Sequence, residues 1–199
     1  MRARVRLPLL YLEGPTGVLP EGTVAGNPSG LTTSRNFGLG QATLSASYLF
    51  GATTSRLPYL ETTAKVTAPS ETKTELGSGV WSGALQIDVF DRFGDFTPFL
   101  GVGRRFYEGS ALDDRFYTSV GSTFRAADRL SIGLVYDWLQ ATSVAVDDAH
   151  QLSPFASMRL GEVWSLGPYA VFGLSEGAAD FGVGFSLSYR YAARFASLY

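Results

Sequence analysis

The chain has 199 residues, 17% of them charged and 45% apolar, with a formal net charge of −2. That apolar content excludes a disordered chain, and the charge excludes the basic footprint of a nucleic-acid binder. The absence of cysteine excludes disulfide scaffolds and cysteine metal sites, and a single histidine gives no clustered metal-ligand spacing. No metal or cofactor is therefore expected.

Alternation of apolar and polar residues predicts ten strands, at about 3–12, 39–50, 58–68, 79–90, 96–107, 115–125, 129–140, 150–160, 164–174 and 180–191. The first contains LPLLYL, far short of the ~20 apolar residues of a membrane helix. With Pro8 inside it, the stretch is a poor secretory h-region. A long first loop is expected over residues 13–36, rich in glycine and proline. After it, the longer or more polar connections follow strands 3, 5, 7 and 9, namely PSETKTELGS, EGSALDD, ATSVAVDDA and SEGAA. Tight ones, DRFGD, AAD and GEV, follow strands 4, 6 and 8. Alternating long and short connections place the long ones at one end of an up-and-down sheet, as in membrane barrels. An even strand number leaves both termini at the short-turn, periplasmic end. A longer precursor would accommodate twelve strands.

The stretch SGALQIDVF shows the two faces: Leu85, Ile87 and Val89 share one, Gln86 and Asp88 the other. Aromatics with the parity of the apolar face collect at both strand ends. Trp81, Phe106, Trp138 and Phe181 lie toward the long loops, and Trp164 and Tyr189 toward the short turns. Phe116 and Phe124, like Phe181 and Tyr189, are eight residues apart. At ~3.3 Å per residue and a ~40° tilt this rises roughly 20 Å, close to the ~25 Å apolar band of a membrane barrel. Two girdles around an aliphatic band predict that the greasy face meets lipid and lipopolysaccharide. The polar face is small and hydroxylic, with sparse charges, and suits a confined wet lumen better than a washed exterior.

On that inward face, Glu61, Asp88, Arg125, Arg159 and Arg190 fall near the short-turn end. Lys65 lies nearer the middle, and Arg105 and Asp137 lie toward the long loops. Tyr107, Tyr117 and Phe155 add rings that offer stacking surfaces. These charges read either as an ion-pair network that fills the barrel or as the lining of a solute path. Inward glycines are expected to widen the lumen locally. Arg104 falls on the outward face near the upper girdle, either paired with anionic lipid phosphate or snorkelling.

FGLGQATLSASYLF, LETTAKVTAPSET, FGDFTPFLGVGRRF, ADRLSIGLVYDW and the closing GVGFSLSYRY resemble an outer-membrane protein family of Gram-negative bacteria, the transporters associated with the meta-cleavage pathway of phenol degradation. The resemblance runs from about Val5 to Tyr191 and implies an outer-membrane barrel that takes up small, often aromatic, molecules. Leu49 and Leu139 stand at inward positions where the resemblance leads one to expect basic residues. Residues 192–199 form a C-terminal extension beyond the resemblance.

The expectation is thus an all-β, single-domain transmembrane barrel in a bacterial outer membrane, a narrow passive channel and not an enzyme. Its oligomeric state is open. The alternative is a non-conducting barrel that presents its outer loops to partners. A remote alternative is a rim protease of the omptin kind, since Asp148 and His150 in VDDAH would share a strand face at the rim.

Overall fold

A computed structural model describes residues 1–15, 33–50, 58–73, 76–109, 112–142 and 147–192. The first loop, expected over 13–36, is narrower at both ends. Strand β1 (Arg2–Pro15) continues past Glu13, and β2 (Thr33–Leu39) begins before Asn36. The interior of that loop, residues 193–199 of the C-terminal extension, and Val146, the first residue of VDDAH, lie outside the described residues.

The remaining strands are β3 (Thr43–Phe50), β4 (Tyr59–Thr67), β5 (Ser82–Phe90), β6 (Phe96–Tyr107), β7 (Arg115–Ala127), β8 (Leu130–Leu139), β9 (Ala149–Leu160), β10 (Trp164–Gly173) and β11 (Phe181–Ala192). All pairings are antiparallel between neighbours, and β11 pairs with β1 from Arg2–Ala192 to Glu13–Phe181, which closes the barrel. Closure removes the sheet edges whose unpaired amides hydrocarbon does not tolerate.

Ten strands complete the circuit, and β2 stands beside it as an extra segment. The stretch read as one strand over 39–50 is interrupted at residues 40–42: β3 pairs with the start of β1 and β2 with its end. Close packing explains the glycines at the break. A Cβ on Gly40 would come within 2.7 Å of Leu10, and one on Gly38 would collide with Thr72.

The short turns follow from local chemistry. Phe93 and Phe96 exchange both backbone hydrogen bonds across Gly94–Asp95, and Gly94 takes a φ of 64°, the left-handed value a two-residue hairpin needs and glycine adopts freely.

The greasy face points outward. Leu85 is 61% exposed, Ile87 53% and Trp81 51%, and the aliphatic and aromatic set of the other strands is exposed with them. A water-soluble monomer rarely exposes contiguous apolar patches above a few hundred Å². Moving one such side chain from water into hydrocarbon contributes about 1.5–3 kcal/mol, so the surface suits a bilayer. At the short-turn end Trp164 meets Tyr189 at 5.0 Å, and at the long-loop end Phe172 meets Phe181 at 5.4 Å, distances between ring centroids. The buried residues lie inside, in two small clusters around Tyr117 and around Leu10, Leu12 and Leu76.

Candidate functional site

The lumen has two unlike halves. Along β4 to β7 it is filled by bonded side chains. Lys65 Nζ donates to Gln86 Oε1 at 2.5 Å, Tyr117 Oη donates to the same oxygen at 3.0 Å, and Gln86 Nε2 donates to Asp88 Oδ1 at 2.6 Å. Lys65 also sits 5.7 Å from the centre of the Tyr117 ring, a cation–π distance. Gln86 is thus a hub for a cation, an acid and a phenol. Toward the long loops Arg115 is fully buried beside the buried Tyr107, its guanidinium 6.0 Å from the ring centre. Arg105 is paired in register with Arg115 and half-buried on the same face.

Along β8 to β11, β1 and β3 the lumen encloses a cavity of about 490 Å³. Phe155 and Tyr169 line its middle, and Gln151 and Asp137, paired in register, line it toward the long loops. Ser119 Oγ donates to Asp137 Oδ1 at 2.5 Å. At the short-turn end the lining is basic, with Arg4, Arg6 and Arg190. Barrel closure places Arg4 opposite Arg190. Arg6 lies over the Tyr169 ring at 5.5 Å, and the Nε atoms of Arg6 and Arg190 are buried without a hydrogen-bond partner. Glu61 is the nearby acid, 3.9 Å from Arg2. Arg2, Arg4, Arg6 and Arg115 are site residues that the sequence reading does not single out, although RARVRL carries an alternating basic signal.

At the long-loop end the cavity is roofed by the segment after β4. Leu76 is 2% exposed and packs with Leu10, Leu12 and Ala179. Gln41, at the break between β2 and β3, holds the roof through Ser78 at 3.0 Å, and Glu71 accepts from the Gly79 amide at 2.7 Å.

The inward glycines do not leave open space. Each of four faces an aromatic residue directly across its ladder: Gly103 with Tyr117, Gly121 with Phe99, Gly133 with Phe155 and Gly184 with Tyr169. A Cβ at any of them would come within 2.3–2.7 Å of that ring or of neighbouring backbone. Glycine lets the ring lie flat against the wall, the cross-strand device known as aromatic rescue.

Two residues read as lumenal from parity sit instead on the exposed short-turn rim. Arg125 is 4.0 Å from Asp95, next to a register shift between Arg125 and Ala127. Arg159 donates to the Asp128 carbonyl. On the outward face, Arg104 lies 5.2 Å from the ring centres of both Phe106 and Phe116 and 3.4 Å from Asp114. Its partners are therefore in its own chain. Trp138 donates to Asp148 at 3.1 Å. Asp148 precedes β9, and its other carboxylate oxygen accepts from the Ala141 amide. His150 Nδ1 is 2.6 Å from the Tyr136 hydroxyl. Each member of the suspected rim dyad is thus engaged elsewhere, and the geometry offers the protease reading no support.

No family model matches the chain, and no curated protein matches it by sequence. Its structure is similar to the COG4313 outer membrane channel from Pseudomonas putida F1, with a TM-score of 0.61, 13% identity, and coverage of 96% of this chain and 95% of that one. It is also similar to the KdgM porin in complex with disordered oligogalacturonate, with a TM-score of 0.53, 8% identity, and coverage of 98% and 100%. At such identities the likeness concerns the fold, and the fold is that of outer-membrane channel barrels.

Proposed function

We propose that this chain is a narrow passive channel of a bacterial outer membrane, with its long loops outward and its short turns in the periplasm. The observation that carries the reading is the cavity of about 490 Å³ inside a closed barrel, within the ~300–1,000 Å³ range of small-molecule sites. Wide aqueous pores need ~16 strands or more, so ten strands suit a path for one small solute at a time. Phe155 and Tyr169 offer that solute apolar faces, and Arg4, Arg6 and Arg190 favour a negative charge near the periplasmic end. The girdles and Arg104 fit contact with lipid and lipopolysaccharide.

Conductance in planar bilayers tests the reading. Small, resolved current steps that favour anions are expected. A folded barrel that passes neither current nor solute returns the chain to the second reading, a non-conducting platform. The bonded half and the Leu76 roof are what favour that alternative.

A further inference from the structure

Three arginines meet where the first strand closes on the last. Arg4 and Arg190 are direct partners in the β1–β11 register, Arg6 follows two residues on, and all three line the lumen cavity. Like charges set opposite each other across a ladder repel. The chain's own acids do not offset them. Glu61 reaches Arg2 at 3.9 Å, Asp88 accepts from Gln86, and Asp137 accepts from Ser119. Among the described residues, no carboxylate lies within ion-pair distance of Arg4, Arg6 or Arg190. The Nε–H groups of Arg6 and Arg190 are buried and find no acceptor. Arg6 rests over the Tyr169 ring, a contact that uses the face of the cation and spends none of its five N–H donors.

The wall beside these cations is hydroxylic. Ser188 stands opposite Arg6, and Ser165 stands opposite Ser188, one row across β1, β11 and β10. Both serines line the same cavity. Guanidinium forks and hydroxyls together form the donor set of a small oxyanion site. Three cations with no acid of their own favour two negative charges over one.

We infer that this corner of the lumen binds a compact dianionic oxyanion, inorganic phosphate or the headgroup of a phosphate monoester, between Arg4, Arg6 and Arg190, and that the bound anion clamps the β1–β11 closure. The inference deepens the channel reading and rests on it only for the anion's way in, so binding to the barrel in detergent tests it apart from conduction.

The test is isothermal titration calorimetry of the full chain, folded in a zwitterionic detergent and chloride buffer, with inorganic phosphate, phenyl phosphate and acetate. Heat-modifiable electrophoretic mobility reports folding. Phosphate is expected to bind once per chain and at least tenfold more tightly than acetate. Arg190→Gln and Arg6→Gln should each weaken it at least tenfold. Arg125→Gln, on the rim outside the cavity, should bind as the wild type does. Tighter binding of phenyl phosphate would support the site with an organic monoester as its source, and tighter binding of inorganic phosphate would support it with the free ion.

The clamp has a readout of opposite sign. In chloride at low ionic strength, Arg190→Gln should raise the unfolding midpoint in urea, because it removes a repulsion. Phosphate should raise the wild-type midpoint by mass action and raise that of Arg190→Gln by less, the remainder being its general stabilising effect on proteins. Phosphate that binds both arginine variants as it binds the wild type, or acetate that binds as tightly, overturns the site. An Arg190→Gln midpoint below the wild type's in chloride overturns the clamp. Phosphate binding without conductance removes the channel and leaves the site standing, and conductance without phosphate binding does the reverse.

Discussion

The β4–β7 half of the lumen and the β8–β11 half are built from the same alternation and the same glycine-under-ring device, yet one is packed and the other hollow. In the first, Tyr117 turns its hydroxyl to Gln86, which already holds Lys65 and Asp88. In the second, Phe155 has no polar atom to offer, and Gln151 Nε2 is buried without a hydrogen-bond partner. Around Gln86 the polar side chains satisfy one another and fill the lumen. Around Gln151 they do not, and the space stays open for something else to bind.

The largest effect in testing this contrast is expected from the roof of the hollow half. Leu76→Ala removes a buried side chain, a change that costs about 2–5 kcal/mol in a packed site. Here the loss falls on one segment after β4, so conductance should rise while the unfolding midpoint of the barrel in urea stays put. Unchanged conductance would show that the roof does not limit the path.

Next comes the hub of the packed half. Gln86→Leu removes the hydrogen bonds that Lys65, Tyr117 and Asp88 each make to it, and a buried group left unsatisfied costs about 1–3 kcal/mol. The denaturation midpoint in detergent should drop clearly, and a midpoint equal to that of the wild type would mean the packed half is held by shape alone.

A smaller effect is expected at the basic end. Arg190→Gln removes one of three cations lining the cavity and should shift the reversal potential in a salt gradient toward weaker anion preference. A reversal potential that does not move would exclude the cavity from the ion path.

The smallest is the counterpart of the hub. Gln151→Leu replaces an amide whose nitrogen has no partner, so stability should change by less than about 0.5 kcal/mol. A loss as large as that of Gln86→Leu would erase the distinction between the halves.

Much of the fold was legible because alternation is a property of single strands. Leu85 and Ile87 against Gln86 and Asp88 state the two faces, and girdle residues such as Trp164 and Phe172 mark the apolar band without reference to any neighbour. The second predicted strand failed at Gly40, because its interruption depends on Leu10 from β1 packing against it. The candidate site was legible only in part. Parity places Lys65 and Gln86 on one face, but their bond joins residues 21 apart and depends on the register of β4 against β5.

The one-dimensional pattern by itself determined that this chain is all-β, that its strands have a lipid-suited face and a polar face, and which end carries the long loops, since side-chain period and turn chemistry are local. Only the closed barrel decided which polar residues bond and which arginines face each other across the β1–β11 closure. Those outcomes depend on which strands lie side by side and in what register, and a register shift of a single residue would turn the bonded side chains to the other face.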